Sequence, residues 1–420
     1  MRSSIVAAIR AVVRLAVAVP ALPLVFVAAL ASRRNTASRR ASGQLPRLVW
    51  GPVPVIAIKY WSHSLRALGY ESQTVVFGHY MINERSDFDR YYDEFLPRGL
   101  PFDPLRGYAV FLWVLQNADV YLAYFDGGFM RGTALRRLEL PLLRLAGKGI
   151  IVSPYGSDIA IPGHLGVAEQ RQLEDYPSIA SDGERVRRRV LEFARWSDLV
   201  IRNYQFGFMP RWDILWTTQI AIDTDHWSAE PPPSDADGHN GEVVVVHAPN
   251  HRAGKGSDRL IEVVDHLVKE GVRVRLDLLE RRPNEEVRAA IAHADIVADQ
   301  FVTGYALFAI EGMAAGRPVL SALSWMPADV RADLDERGLP IVDADLDTLE
   351  LELRRLIEDP ARRRTVGAAG HRFVLEHHSY AAVGAVWDTL IRRVWAGDRR
   401  PLGHGPATKP ADPTCETRSD

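Results

Sequence analysis

Short apolar runs and amphipathic helical patterns alternate through most of this chain, and the alternation constrains the fold more than any other feature. Leu48 to Ile56 reads as a strand, Lys59 to Leu68 as a helix ended by Gly69, and Gln73 to Phe77 as the next strand. Asp119 to Tyr124, Gly149 to Val152 and Leu199 to Arg202 follow, each after a helical stretch such as Glu184 to Trp196. Strands separated by helices pair in parallel, because the helix carries the chain back to the starting edge. Residues 229 to 241 interrupt the rhythm with Ala-Glu-Pro-Pro-Pro-Ser-Asp-Ala-Asp-Gly-His-Asn-Gly, which is linker chemistry.

Beyond the linker the rhythm restarts. Val243 to His247 is a β-branched strand, and Ser257 is placed to cap a helix with apolar Leu260, Ile261, Val264, Leu267 and Val268, closed by Gly271. Val272 to Leu278, Ile296 to Ala298 and Pro318 to Leu320 read as strands, with helices at Glu285 to His293 and Ala306 to Ala315. Helices fill 347 to 395, and the tail after Asp398 is rich in Pro, Gly, Thr and Asp, a composition that favours disorder. The division is therefore a segment 1–46, a first α/β domain 47–228, a linker 229–241, a second α/β domain 242–398 and a tail 399–420. Two doubly wound domains make a cleft, and ligands bind beyond the carboxyl ends of their strands.

The first 46 residues are different in kind. They hold seven arginines and no acid, so the net charge of −2 divides into +7 here and −9 on the body. Leu15 to Ser32 is uncharged, and as a helix would be about 27 Å long against a hydrocarbon core of about 30 Å. Pro20 and Pro23 interrupt it. An anchor or kinked re-entrant helix is expected, with Arg33, Arg34, Arg39 and Arg40 holding the body at the cytoplasmic face of a membrane. The alternatives are a cleaved signal peptide, for which Ala29-Leu30-Ala31 has the small-residue pattern, and a soluble start or a misassigned start codon. The body lacks the basic stripe of a nucleic-acid binder. A single cysteine, Cys415, excludes an intramolecular disulfide framework and a cysteine-based zinc site.

Two loops of the second half look chemical. His247-Ala-Pro-Asn-His-Arg-Ala-Gly-Lys-Gly256 joins a strand to a helix N-terminus, where backbone N–H groups, Arg252 and Lys255 favour an anion. A solvated turn is the bland alternative. Glu311 lies in a helix of small and apolar residues, Gly312, Ala314, Ala315 and Gly316, where a carboxylate is costly without a partner. The two hydroxyls of a ribose are one such partner, and an arginine or solvent another.

Glu311 to Leu320, with the Lys255-Gly256 loop and Ala294-Asp295-Ile296-Val297, resembles the donor domain of retaining family-4 glycosyltransferases. Gly51-Pro-Val-Pro-Val-Ile, Pro154-Tyr-Gly-Ser-Asp158 and Ile222-Asp-Thr-Asp-His-Trp227 look like that family's acceptor domain and crossover. The resemblance covers roughly residues 47 to 395. It implies the GT-B fold, two Rossmann-like doubly wound domains facing across a cleft, and transfer of a sugar from a nucleotide-sugar with retention. It also implies that Arg252 and Lys255 hold the diphosphate, that Glu311 holds the ribose, and that no metal or other cofactor is required. Where the family carries a further glutamate facing the donor sugar, this chain has Thr303, which can hydrogen-bond a hydroxyl but supplies no carboxylate.

On the acceptor side, Asp126 and His79 follow predicted strands and are the catalytic candidates. His63 lies on a helix, and Ser157-Asp158 has the form of a cap or an acceptor contact. Asp-x-Asp triplets at 223, 235 and 343 fall in crossover, linker and late acidic stretches and read as chance, and adjacent His377-His378 lacks metal-ligand spacing, so no metal site is assigned. The expected partners are a nucleotide-sugar, a sugar or lipid-linked acceptor such as an envelope polysaccharide precursor, and a membrane surface. Two other functions fit the pattern: a nucleotide-sugar epimerase or hydrolase, and a non-catalytic membrane-tethered nucleotide binder.

Overall fold

The computed structural model describes residues 2–80, 83–96, 103–161, 183–204, 207–227, 229–302, 304–324, 326–398 and 402, with side chains from residue 11 except at 103 and 104. Thr303 and, apart from Leu402, the tail 399–420 lie outside the described residues. Helix α1 spans Arg2–Ala41 and precedes a seven-stranded parallel sheet. The sheet contains β1 (Leu48–Trp50), β2 (Ser72–Val76), β3 (Arg90–Tyr91), β4 (Val120–Ala123), β5 (Gly149–Val152), β6 (Leu199–Arg202) and β7 (Ile214–Leu215), in the order β3-β2-β1-β4-β5-β6-β7. Between strands run α2 (Ala57–Arg66), α3 (Asp103–Asn117), α4 (Glu139–Leu145) and α5 (Gly183–Trp196). β1 is shorter than the apolar run Leu48–Ile56 predicts. Pro52 and Pro54 have no N–H to donate, so the ladder stops at Trp50.

The second sheet is also parallel, in the order β12-β11-β10-β8-β9. Its strands are β8 (Val243–His247), β9 (Val274–Leu278), β10 (Ile296–Ala298), β11 (Val319–Ser321) and β12 (Val342–Asp343). The helices are α6 (Ser257–Lys269), α7 (Asn284–His293), α8 (Leu307–Ala314), α9 (Ala328–Glu336), α10 (Leu349–Glu358), α11 (Pro360–His377) and α12 (Tyr380–Trp395). Both sheets are buried on both faces, so alternate residues serve opposite cores. Val49 and Tyr121 join α3, α4 and α5 in one core, whereas Leu48, Trp50 and Leu122 join α2 in another. In the second sheet Val246 and Val297 face α8, and Val245 and Ile296 face α6 and α10.

Two departures from the sequence reading concern where the domains end. Helix α12, placed in the second domain by sequence order, packs on the first. Its Trp387 ring lies 5.1 Å from Trp50, 5.3 Å from Trp61 and 5.2 Å from Trp216. Val383, Leu390, Ile391 and Val394 complete that buried face at helical spacing. The segment 229–241, read as a linker, is tied to the second domain. Buried Arg317 donates to Glu230 O at 2.6 Å, Arg363 donates to Ser234 O at 3.2 Å, and Ser234 Oγ donates to Asp295. The chain crosses between domains at 220–227 and again at 378–379. Ile222 bridges Ser379 in parallel, and Ile222 N–H donates to His378 O at 2.8 Å.

α1 docks on the first domain along a stripe of small side chains, Ala18, Ala21, Val25, Ala29, Ser32 and Thr36, against α3 and α4. Polar contacts lock its C-terminal half. Ser32 Oγ donates to Leu115 O, Lys148 Nζ donates to Thr36 Oγ1 at 2.8 Å, and Arg39 Nε donates to Asp119 at 2.9 Å. Buried Asp119 also takes Arg47 through Nε at 3.0 Å and the backbone N–H at 3.0 Å. Burial alone would raise the Asp119 carboxyl; the Arg47 hydrogen bonds and Lys148 overcome this and lower it. Burial lowers the Lys148 ammonium to about 8. Residues 18–36 therefore lie with one face on protein, while α1 is by length and composition long and apolar enough to cross a membrane and keeps an exposed apolar side.

Candidate active site

The residues singled out in the second half lie at the carboxyl edge of its sheet. β8 ends in His247, a single helical turn at Arg252–Lys255 follows, and Gly256 at φ +72° starts α6. A side chain at Gly256 would meet Leu346 Cδ2 at 2.8 Å and Phe301 Cβ at 3.2 Å, so the turn needs glycine for space as well as for φ. Ser257 does not cap the helix as expected. Its Oγ lies 2.7 Å from His247 Nε2, while His247 Nδ1 lies 2.7 Å from Ala298 O. A carbonyl only accepts, so Nδ1 carries the proton and Nε2 accepts from the serine hydroxyl. Burial lowers this imidazole to about 4, and the neutral ring pins β8 to β10 and to the start of α6.

Lys255 reaches across to β10. Its Nζ donates to Asp299 Oδ1 at 2.9 Å, its carbonyl accepts from Phe301 N–H at 3.0 Å, and Asp299 Oδ2 accepts from Ala306 N–H at 2.8 Å. Asp299 is fully buried, directly after the apolar strand. No motif marks it in the sequence, and its place at a strand's carboxyl end is the available signal. Glu311 is buried on α8 beside this pair, and no side chain among the described residues donates a hydrogen bond to it. Burial raises its carboxyl to about 8, Asp299 adds to the rise, and Lys255 opposes it. A ligand with hydroxyl donors would satisfy such a carboxyl.

Arg252 sits differently. Its guanidinium is shared between Asp258 at 3.1 Å and Glu280 at 3.6 Å, on the rim, with 44% of the side chain exposed. Of the two expected phosphate cations, Lys255 is the one within the buried cluster.

The first domain meets this edge. The phenol of Tyr60 on α2 is raised first by burial and next by the charge of Glu311. Tyr380, at the start of α12, lies 6.2 Å from the Tyr60 ring. Tyr204, after β6, stacks on Tyr305 at 5.3 Å.

On the acceptor side Asp126 follows β4 as expected. Arg189 pairs with it at 2.8 Å, Arg131 lies 3.6 Å away, and Tyr155 OH donates to it at 3.2 Å. His79, after β2 on the same edge, is exposed, with its ring edge-on to Tyr91 at 6.0 Å. Asp158 is a tie between loops. Its buried carboxylate accepts from Phe125, Tyr155 and Gly156 N–H, each at 3.0 Å, while burial raises it to about 7. His63 is exposed and stands edge-on to Tyr380. His378 donates Nδ1–H to Ile220 O at 2.6 Å in the crossover. Among the described residues no cluster of His, Cys, Asp and Glu has the form of a metal site.

Residues 257–388 match the family model described as glycosyl transferase-like. Two solved structures share the architecture: HepE from Anabaena in complex with UDP-glucose, and sucrose-phosphate synthase from Thermosynechococcus elongatus. The first superposes with a TM-score of 0.52 at 14% identity, covering 82% of this chain and 99% of that one. The second gives 0.52 at 16% identity, covering 84% and 100%. The fold is GT-B. The GT-B chain is also 30% identical over 118 residues to MMP alpha-(1->4)-mannosyltransferase from Mycolicibacterium hassiacum. That match takes in 27% of this chain and 29% of the relative, so it spans less than a third of the relative's length. The glycosyl transferase-like region begins at Ser257, two residues after Lys255, and contains Asp299 and Glu311.

Proposed function

We propose that this protein is a membrane-associated, nucleotide-sugar-dependent glycosyltransferase that works with retention of anomeric configuration. The observation that carries the reading is the cluster of Lys255, just before α6, with buried Asp299 after β10 and buried Glu311 on α8. In the proposed complex the two ribose hydroxyls donate to Glu311, and the diphosphate lies against Lys255 and the first N–H groups of α6. The bond from the anomeric carbon to the diphosphate oxygen breaks, leaving its electron pair on the phosphate. An acceptor oxygen bonds to the same carbon, and its proton passes to the departing diphosphate oxygen that kept the electron pair. Negative charge builds on the leaving group, where a fixed ammonium and a helix N-terminus are worth most. Lys255 and backbone amides supply this charge stabilisation in the proposal, with no metal in the step. HepE, in its complex with UDP-glucose, supports a nucleotide-sugar as donor.

Asp126 and His79 are the acceptor-side residues, and Thr303 is the donor-side position where a hydroxyl replaces the carboxylate implied by the resemblance. The exposed apolar side of α1 supports attachment to a membrane, with the body on its cytoplasmic face and a lipid-linked or envelope-polysaccharide acceptor.

Calorimetric binding of a panel of nucleoside diphosphates to wild type and to Glu311→Ala tests the donor site. The expected result is one tightly bound nucleotide, with binding lost in the variant. Absence of any nucleotide binding would overturn the reading. Consumption of the matching nucleotide-sugar without an acceptor would convert it to a hydrolase or epimerase.

A further inference from the structure

Both ends of the apolar stretch of α1 are held by one domain. Near the start, Arg14 lines a cavity with Asp126 and Gly127, which follow β4 at the carboxyl edge of the first sheet. Near the end, Arg39 pairs with Asp119 and Thr36 accepts from Lys148; these partners directly precede β4 and β5, at the amino edge. Between the two holds, Val17, Ala21, Val25 and Ala29 pack into the core shared with α3 and α4. α1 therefore runs along the strands, and from Arg14 to Arg39 it extends about 37 Å at about 1.5 Å per residue.

The opposite side of the helix is apolar. Half of the exposed large apolar side chains among the described residues lie on α1, from Val12 to Leu30, so the greasy surface of the molecule is gathered in one stripe. No charge falls between Arg14 and Arg33, while Arg14, Arg33 and Arg34 are exposed at the two ends. A lipid leaflet has the matching parts, acyl chains for the stripe and anionic headgroups for the cations. A crossing does not match. It would put Arg14 at one face of the bilayer and Arg33 at the other, and draw the folded domain that touches both ends through the hydrocarbon. Pro20 and Pro23 also have no N–H to offer the carbonyls of Ala16 and Val19, four residues earlier. Headgroups and water serve such carbonyls at an interface, and acyl chains do not.

We propose that α1 lies in the plane of one leaflet, with its exposed apolar side in the acyl chains, and holds the first domain sideways on the membrane. The strands then run along the membrane surface, and the carboxyl edge of the first sheet opens at the level of the headgroups, beside the Arg14 end of the helix. An acceptor oxygen carried on a lipid headgroup reaches that edge without leaving the membrane. The inference rests on the membrane attachment proposed above and adds its geometry.

The test is the depth of nitroxide labels in the full chain bound to vesicles of phosphatidylcholine and phosphatidylglycerol. Cys415→Ser removes the native thiol, and Leu15→Cys, Leu22→Cys or Leu30→Cys supplies one label at a time on the exposed side, where it leaves the docked face intact. Relaxation by oxygen and by a nickel chelate reads each depth. The expected result is three depths equal within a few ångströms, about 5–10 Å below the headgroups. A spanning helix instead separates Leu15 from Leu30 by about 22 Å along the membrane normal, with Leu22 the deepest. That result overturns the proposal and leaves membrane attachment standing. If the chain does not float with the vesicles, attachment and geometry both fall. Spin–spin broadening without access to lipid-dissolved oxygen would make a second copy of the chain the cover of the stripe, and overturns the proposal as well.

Discussion

Replacing Glu311 by glutamine is expected to stabilise the protein at alkaline pH while weakening its binding site. The side chain keeps its shape and loses its charge. In the folded protein burial holds this carboxyl at about 8, against an ordinary value of 4.5. Between those two values the folded chain keeps a proton that the unfolded chain has released. Glu311's contribution to stability is therefore fully present below about pH 4.5 and is lost as pH rises through about 8. At about 1.4 kcal/mol per pH unit the interval amounts to on the order of 4–5 kcal/mol. Glutamine does not titrate, so the gap between variant and wild type should open with rising pH by up to this amount. Urea unfolding of both proteins from about pH 5 to about pH 9 measures it, with every other titrating group common to the pair. Nucleotide affinity should fall in the same variant by about tenfold to a hundredfold, since a hydrogen bond to a charged group is worth about 1.5–3 kcal/mol. A stability difference flat in pH would refute the buried-carboxylate account. An unchanged affinity would refute the assignment of Glu311 to the ligand.

Ligand hydroxyls favour the ionised form of Glu311, so nucleotide binding near neutral pH should release a proton, which calorimetry in buffers of different ionisation enthalpy reads directly; proton uptake would contradict this. Lys255→Gln is expected to cost nucleoside diphosphate affinity about tenfold to a hundredfold and to leave affinity for the nucleoside alone unchanged, because Lys255 is assigned to the diphosphate. Asp119→Ala leaves Arg39, Arg47 and Lys148 around an empty position and should destabilise the docking of α1 by about 3–5 kcal/mol, seen as faster tryptic cleavage between Arg33 and Arg47. A chain ending at 378 should lose the first domain's solubility rather than the second's, because it strips the cover from Trp50, Trp61 and Trp216.

Local pattern carried the architecture. The β-branched run Val243–His247, the amphipathic stripe from Leu260 to Val268 and the apolar runs before Asp126 and Asp299 specify strand and helix from neighbours alone. Parallel strands joined by helices follow from that order, and with them a site at the carboxyl edge. Lys255 and Glu311 were legible for the same reason, since a cation at a helix start and a carboxylate among small residues are visible in a few positions of sequence. Tertiary structure decided what depends on distant segments. The pairing of Lys255 with Asp299, 44 residues away, and the stacking of Tyr204 on Tyr305 exist only after distant segments meet. So does the return of α12 to the first domain, where Trp387 completes a cluster with three tryptophans from much earlier in the chain. Hydropathy identified α1 as a helix suited to lipid, but its docked stripe of alanines gained a purpose only from α3 and α4. Secondary structure follows from short-range sterics and periodicity; partner, burial and charge balance follow from which faces meet.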